Sequence, residues 1–294
     1  MRSYFIRIVF LLFCTALWSQ HSLYYTLKKG DTYVIEQNAQ QLITQEIEGI
    51  THELENNISG KMQFKVAGIK DDLYEIDMVF LDLGMHMNSN LQGELMSVDA
   101  SEVIEGDAQS RIFNSLLNIP VRMILARSGN VLSVHGGDSL INKMTTASGI
   151  TDSIAKNALK ESLRNEFGSE ALSNSFEQMT YIYPEGTNSL QGSWENEYSG
   201  KLSAKNIWTL EKSTPAENYI TGIADIEMDI EDEGTSMSLS GKQETTVTAD
   251  IKTGFILDML VEGYSEGTAM MSHTGDMEIP TTIKSTTRYK LITN

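Results

Sequence analysis

The stretch LYEIDMVFLDL, residues 73–83, alternates apolar and polar side chains with a period of two. Its apolar side chains fall on one face of an extended chain, while Glu75 and Asp77 fall on the other. The apolar set is Tyr74, Ile76, Met78 and Phe80, followed by Leu83. This period is that of a β-strand with one buried face, and it is antiparallel in character.

The same pattern recurs on both sides of a central block. Met62, Phe64 and Val66 alternate with polar residues, and residues 225–231, DIEMDIE, alternate again near the C-terminus. Residues 37–57 favour two ragged strands turning near Glu48-Gly49, with a short amphipathic helix as the alternative. Residues 255–261 and 281–292 are dense in β-branched side chains, which also predicts strands.

The central block, residues 107–184, is predicted to be mainly helical. Asp152 can cap a helix that ends at Phe167 before Gly168. Its apolar positions are Ile154, Ala155, Ala158, Leu159 and Leu163. A second helix has Leu172, Phe176 and Met179 on one stripe, and a shorter one, capped by Asp138, carries Leu140, Ile141 and Met144. A hairpin over residues 121–135, turning at Ser128-Gly129-Asn130, interrupts the helices.

These segments predict an α+β fold in a single domain, residues 20–294. A weak repeat relates the first β half, residues 20–106, to the second, residues 185–294. In each half a turn leads into an aromatic-led strand, at Gly30-Asp31-Thr32-Tyr33 and at Gly192-Ser193-Trp194. We expect one large, curved antiparallel sheet built from both halves, with the helical insertion packed on one face.

The N-terminus predicts a secretory signal peptide over residues 1–19. Arg2 and Arg7 flank a short positive region, and residues 8–18 form an uncharged apolar stretch that ends before Ser19. This stretch is too short for a membrane span of about 20 residues. Lipidation at Cys14 is an alternative, although Phe13 is bulky where lipoprotein signals have a small residue. We expect cleavage near Ser19 and export to the periplasm or extracellular side of a Gram-negative envelope.

The composition argues against two classes of partner. The 294 residues include 40 Asp and Glu against 22 Lys and Arg, which gives a formal net charge of −18. Binding to nucleic acid or to anionic lipid needs a basic surface. We therefore expect no nucleic-acid partner. After signal cleavage we also expect no integral membrane helix, because no later segment is apolar over about 18 residues.

One motif suggests an esterase. Residues 137–140 spell GDSL, the signature of a family in which Ser139 would be the nucleophile. That family also needs an Asn-Asp oxyanion block and a C-terminal Asp-x-x-His, and this sequence has neither. We interpret Asp138 or Ser139 as a helix cap, with a divergent hydrolase using Ser139 as a remote alternative.

Two other patterns suggest metal sites, and each lacks a ligand. Residues 52–56, HELEN, miss the second histidine of a zinc-protease motif. The acidic run from Asp225 to Glu233 puts Ser240 where a calcium loop needs a bidentate Glu. We predict that these carboxylates form the solvent face of a strand. The protein is therefore expected to be no enzyme, with no catalytic residue, cofactor or metal.

Two functions from different classes stay open. One is a carrier of an apolar or lipid-like small molecule, which fits a composition with 15 Met, a residue that adapts to varied apolar ligands. The other is a structural or protein-interaction component of the envelope. They differ in whether the helices only cover the concave side of the curved sheet, which leaves a pocket, or fill that concavity completely. A filled core would bury Ile154, Leu159, Leu163, Phe176 and Met179 against strand residues such as Phe64, Ile76 and Ile226.

Four turn signatures carry a resemblance to a family. They are Trp18-Ser19-Gln20, Leu27-Lys28-Lys29-Gly30-Asp31, the block from Ile119-Pro120-Val121 to Ser128-Gly129-Asn130-Val131, and Asp250-Ile251-Lys252-Thr253-Gly254-Phe255. The sequence resembles an uncharacterised family of secreted Bacteroidetes envelope proteins, which implies no activity, cofactor or site residue. A looser likeness, in element order alone, is to periplasmic lipoprotein carriers, in which a curved antiparallel sheet wraps around helices.

Overall fold

A computed structural model describes residues 23–185, 192–232, 234–271 and 277–293. The predicted signal peptide, residues 1–19, lies outside these described residues, as does Glu233 of the acidic run. The strands are β1 (Thr32–Ile47), β2 (Ile50–Lys70), β3 (Leu73–Ser89), β4 (Gly93–Asp99), β5 (Val121–Leu125), β6 (Val131–His135), β7 (Ser193–Tyr198), β8 (Leu202–Ser213), β9 (Glu217–Asp232), β10 (Thr235–Asp250), β11 (Ile256–Met271) and β12 (Glu278–Thr293). The helices are α1 (Ala108–Asn114), α2 (Gly137–Ala147), α3 (Ser153–Phe167) and α4 (Ser169–Thr180).

All twelve strands belong to one antiparallel sheet, which is open and curved. The spatial order is β6-β5-β3-β2-β1-β12-β11-β10-β9-β8-β7, and β4 pairs with β3 beside this path. The predicted fold class is confirmed. Residues 37–57 form the two predicted strands, with the turn at Glu48-Gly49.

The two β halves meet where the first strand pairs with the last. In this register Ile43 of β1 lies opposite Ile283 of β12, and Gln41 lies opposite Ser285. The first half supplies β1 to β4, the hairpin of the helical block supplies β5 and β6, and the second half supplies β7 to β12. The seam at β1–β12 makes the sheet continuous.

A β-bulge accounts for the shift in the alternation that opens the sequence. Met62 pairs with Phe80, whereas its neighbour Lys61 pairs with Asp82, so Leu81 is an extra residue in β3. The bulge moves the buried positions from even to odd numbers, which is why Leu83 follows Phe80 on the buried face.

The helices pack against part of one face of the sheet. The ring of Phe176 in α4 meets Phe64 of β2 edge to face, with centroids 6.0 Å apart. Leu140 and Met144 of α2 are fully buried in the same apolar core. Among the predicted contacts, Phe176, Met179 and Leu163 belong to this core with Phe64 and Ile76.

The segment at the end of α4 lies between the β5–β6 hairpin and β7, close to the two edges of the sheet. The hydroxyl of Thr180 donates to the carbonyl oxygen of Gly129 in the β5–β6 turn (2.7 Å). Nδ2 of Asn196 in β7 donates to the carbonyl oxygen of Tyr181 (2.7 Å). Gly129, with φ +94°, is required here because a Cβ would lie 1.7 Å from the carbonyl oxygen of Thr180.

The N-terminal segment, residues 23–31, ties three of the predicted turn signatures together. The backbone N–H of Tyr25 donates to the carbonyl oxygen of Arg127 (2.8 Å), and that of Thr26 donates to the carbonyl oxygen of Thr253 (2.7 Å). The hydroxyl of Tyr183 donates to Gly254 in the β10–β11 turn (2.6 Å). Segments far apart in sequence thus form one hydrogen-bonded end of the domain.

Three details of the helical block differ from the sequence prediction. α3 begins after Asp152, whose side chain caps it, but Ile154 is 79% exposed and packs in no core. α2 is capped by the backbone of Gly136, with no side-chain hydrogen bond, so Asp138 lies inside the first turn and is no cap. Ile226 belongs to a small separate cluster with Tyr198, Ala204 and Ala224 rather than to the helical core.

Among the described residues, no helix is long and apolar enough to cross a membrane.

Candidate functional site

Charge is segregated between the two faces of the sheet. We call the face on which Phe64 contacts Phe176 the inner face, and the opposite face the outer face. Successive side chains of a strand alternate between faces, so the pairing register assigns every strand residue to one of them. Among the strand side chains that the structure describes, no Asp, Glu, Lys or Arg lies on the inner face. The strong negative charge of the described residues is therefore carried by the outer face, the helices and the loops.

Amide side chains nevertheless line the inner face in one row. Following the pairs from β2 to β7, Asn56 lies opposite Gln41, Gln41 opposite Ser285, and Ser285 opposite Gly263. The row continues through Gln243, Ala224, Asn206 and Asn196. We call Asn56, Gln41, Gln243, Asn206 and Asn196 the amide row. It crosses eight neighbouring strands at one level of the sheet.

A cleft of about 630 Å³ opens between the inner face and the helices. Its sheet wall carries Gln41 of β1, Leu202 of β8, and Met228 and Ile230 of β9. Its helical wall includes three uncharged polar residues of α4, which are Asn174, Ser175 and Gln178. The helices thus fill one part of the inner face and leave this part uncovered, which combines the two arrangements left open by the sequence.

Ion pairs hold the rim of the cleft. Nζ of Lys201, in the β7–β8 turn, lies 3.0 Å from Oε1 of Glu166 in α3. Nη1 of Arg164 lies 2.6 Å from Oε1 of Glu161 one turn earlier. All four side chains are at least half exposed, so these charges are solvated. The exposed carboxylates of Asp138 and Glu170 also line the cleft.

Buried phenols lie on the inner face near the amide row. Burial raises the pKa of Tyr198 in β7 to about 12, although a hydrogen bond with Gln243 acts in the opposite direction. Burial likewise raises the pKa of Tyr289 in β12, with a smaller contribution from Tyr198. Both phenols are neutral at physiological pH, so they add hydrogen-bonding groups to the inner face without adding charge.

The esterase motif lies in ordinary helical surroundings. Ser139 is exposed in the first turn of α2. The described histidines have other partners: His52 contacts Ser89 (2.9 Å), His86 contacts Glu94 (3.3 Å) and His135 contacts Ser133 (3.2 Å).

The two metal-like motifs lie on strands. HELEN is part of β2, where alternation sends His52 and Glu53 to opposite faces, so it does not form the helix of a zinc protease. The acidic run lies on β9 with Asp225, Glu227, Asp229 and Glu231 exposed, as predicted. Across the part of the chain that the structure describes, no group of three or more His, Cys, Asp or Glu side chains could hold a metal ion.

The methionines are divided between the two faces. Met85 and Met87 of β3 are half-buried on the inner face, and Met228 lines the cleft. Met270 lies on the outer face and is exposed, while the side chain of Met271 lies outside the described residues. The inner-face methionines are the ones placed to adapt to a bound molecule.

The fold and the cleft together define the class of protein. It is an α+β protein in which helices cover part of the inner face of a curved antiparallel sheet and leave another part open as the cleft. The chain belongs to the family of unknown function DUF6263, whose model matches residues 71–256. No curated protein matches the sequence.

Solved structures match this chain at very low identity. The chain is similar to lipovitellin, in a structure concerned with its lipid–protein interactions, with a TM-score of 0.53 and 11% identity over 91% of this chain. The match covers 26% of the lipovitellin chain, so this chain spans about a quarter of that protein's length. An outer membrane channel from Pseudomonas putida F1 gives a TM-score of 0.36 at 8% identity, covering 92% of this chain and 98% of the other. The lipovitellin likeness shows a similar fold.

Proposed function

We propose that this chain is an exported, non-catalytic binding protein that holds an apolar or lipid-like molecule between the inner face and helices α3 and α4. One observation carries the proposal: an inner face on which none of the described strand side chains is charged opens into a cleft of about 630 Å³. Ligand pockets typically measure about 300–1,000 Å³ and are mostly apolar with a few polar groups. The lipovitellin likeness concerns the fold, and the proposal rests on the cleft.

The apolar residues of the cleft give the proposal its specific test. Met228 lies on the inner face of β9, and Ile223 lies on the outer face of the same strand with 58% exposure. We expect Met228→Lys to abolish binding, because it places a charge where an apolar chain would lie. Ile223→Lys changes the same strand toward solvent and serves as the matched control. Loss of binding in both variants, or in neither, would contradict the cleft as the site.

The direct experiment is native mass spectrometry of protein purified without detergent from its native host. A co-purifying mass of lipid size, absent from Met228→Lys and retained in Ile223→Lys, is the expected result. A single apo mass for all three proteins, together with no binding of a fluorescent fatty acid by the wild type, would overturn the proposal.

The contacts of the described histidines support the non-catalytic part. His52, His86 and His135 are paired with groups other than Ser139, and a serine nucleophile needs a base within hydrogen-bond reach. We expect no labelling by a fluorophosphonate probe. Labelling that disappears in Ser139→Ala would establish the hydrolase instead.

A second function, an interaction component of the envelope, is favoured by exposed apolar side chains at hairpin tips. Ile50 lies at the β1–β2 tip, Leu91 at the β3–β4 tip, and Met277 beside the start of β12. Triple replacement of these three by Ser would leave lipid binding unchanged and abolish capture of an envelope protein. Unchanged capture would exclude these tips as the contact surface.

Export and the likeness to secreted Bacteroidetes envelope proteins belong to the same proposal. N-terminal sequencing of the mature protein should begin near Gln20. An intact Met1, or a lipidated Cys14, would contradict cleavage at that position.

A further inference from the structure

The path of paired strands ends at β6 on one side and at β7 on the other, and the two edges differ in how they are covered. Helix α4 packs against β6, where the backbone of Val131 hydrogen-bonds to the carboxylate of Glu177. β7 pairs with β8 on one side, and no described strand pairs with its other side. An open edge strand presents a row of unpaired N–H and C=O groups to which another chain can pair.

The pairing with β8 shows which backbone groups of β7 face this open edge. The N–H of Leu210 donates to the carbonyl oxygen of Gly192 (2.8 Å), so these two residues form a hydrogen-bonded pair of the antiparallel ladder. Such pairs alternate with non-hydrogen-bonded pairs, so Ser193, Glu195 and Glu197 direct their N–H and C=O groups away from β8. Among the described residues, no hydrogen bond reaches these backbone groups.

The side chains along the open edge differ in character between the two faces. Glu195 and Glu197 are exposed on the outer face, and neither takes part in an ion pair within the part of the chain that the structure describes. Trp194 and Tyr198 lie on the inner face with buried aromatic rings. A strand added to this edge would therefore place alternate side chains beside two carboxylates and beside two aromatic residues.

The two carboxylates decide what can pair with the edge. On β8, Ile207 lies opposite Glu195 and Lys205 lies opposite Glu197, so β8 offers one cation for two carboxylates. An antiparallel second copy of β7 would bring these carboxylates close to those of the copy, and like charges in opposing positions destabilise a strand pair. A segment with Lys or Arg at alternate positions meets opposite charges instead. The edge thus disfavours pairing with itself and fits a basic strand.

We propose that β7 binds an extended basic segment of a partner protein as an added antiparallel strand, in which Lys or Arg alternates with β-branched apolar residues. The N–H and C=O groups of Ser193, Glu195 and Glu197 provide the main-chain hydrogen bonds, and the alternating side chains provide the specificity. This interaction uses the edge of the sheet rather than the cleft, so it does not depend on lipid binding.

The main-chain part of the proposal is tested with the full chain and the peptide acetyl-KVKVKVK-amide, by calorimetric titration. In the added strand, the N–H groups of the lysines opposite Glu195 and Glu197 face β7, whereas those of the valines face away. N-methylation of the lysine nitrogens should therefore abolish binding, and N-methylation of the valine nitrogens, the matched control, should leave it intact. No binding of the parent peptide, or binding that survives methylation of the lysine nitrogens, would overturn the proposal.

Hydrogen exchange followed by NMR locates the bound peptide. The amides of Ser193, Glu195 and Glu197 should exchange fast in the free protein and become protected in the complex, because they donate to the peptide. The amides of Trp194 and Asn196, which face β8, should change little. Protection elsewhere without protection of the three edge amides would place the peptide at another surface and contradict the proposal.

Charge reversal tests the choice of partner. We expect KVKVKVK to bind at least about tenfold more tightly than EVEVEVE, and Glu195→Lys combined with Glu197→Lys to reverse this order. Glu227→Lys combined with Asp229→Lys makes the same change in net charge on the exposed outer face of β9 and should keep the original order. The same reversal in both double variants would show that net charge alone sets the preference. Dimerisation of the wild type in sedimentation, with the edge amides protected in the absence of peptide, would assign the edge to a second copy and overturn the basic partner.

Discussion

The phenol of Tyr25 donates a hydrogen bond to the carbonyl oxygen of Thr180 at 3.0 Å, across 155 residues of sequence. Both residues are buried, and Tyr25 also meets Tyr183 edge to face with centroids 5.1 Å apart. The contact joins the N-terminal segment to the last residue of α4, the helix that forms one wall of the cleft. The N-terminal segment is therefore anchored to the C-terminal end of α4.

We expect Tyr25→Phe to lower the free energy of unfolding by about 1–3 kcal/mol, because it removes a buried hydrogen bond without changing the ring. Tyr264→Phe, on the exposed outer face of β11, is the matched control and should change it by less than about 0.5 kcal/mol. Urea denaturation of both variants measures the difference. Equal effects would mean that the Tyr25 hydrogen bond contributes nothing specific.

Two apolar side chains of the helical block, Phe176 and Ile154, should differ sharply in how much their truncation destabilises the protein. Phe176→Ala removes a buried ring from the contact with Phe64, and we expect a loss of about 3–5 kcal/mol. Ile154→Ala should cost less than about 0.5 kcal/mol, because that side chain is 79% exposed. Thermal unfolding of the two variants tests the pair. A large loss for Ile154→Ala would place its side chain in a packed environment.

The sequence predicted this fold well where one strand or helix carries its own signal. The alternation of residues 73–83 predicted β3, and Asp152 and Gly168 predicted the bounds of α3. The predicted burial of Ile154 was wrong. Helical spacing shows which apolar side chains share one face of a helix, whereas burial also requires another element to pack against that face at the same turn. Single-sequence patterns give no such neighbour.

The amide row was not predictable, for a related reason. Gln41 and Asn206 become neighbours of one row only through the pairing of strands that are far apart in sequence. A signal was nevertheless present in β1, where Gln37, Gln41 and Gln45 share the parity of the buried Tyr33 and Ile35. Amides at the buried parity of a strand therefore indicate an internal polar row.

Alkaline pH should destabilise the protein through its buried phenols. The pKa of an unfolded tyrosine is about 10, and burial raises that of Tyr198 to about 12 in the folded protein. Between these values the unfolded state loses the proton while the folded state keeps it. The folded state then binds more protons, so stability is fully present below about pH 10 and falls as the pH rises toward 12.

Denaturant midpoints measured across this range check the effect, with ultraviolet absorbance reporting phenol ionisation. Tyr198→Phe removes one of the groups responsible and should reduce the slope of stability against pH above about 10. A slope identical to that of the wild type would show that Tyr198 ionises equally in both states.

The close approach of β10 and β11 should depend on Gly241 of β10. A Cβ built at this position would lie 2.0 Å from the carbonyl oxygen of Tyr264 in β11, a backbone atom that cannot move aside alone. We expect Gly241→Ala to force the two strands apart, to cost about 1–3 kcal/mol or more as overpacking does, and to widen the inner face beside the amide row. Gly60→Ala on β2 is the matched control, because its Cβ would meet the nearest atom, the carbonyl oxygen of Asp82, at 3.4 Å, an ordinary contact. Hydrogen exchange of the β10 and β11 amides, measured beside thermal unfolding, should show lost protection in Gly241→Ala alone. Equal protection in the two variants would mean that the close approach at Gly241 does not require a glycine.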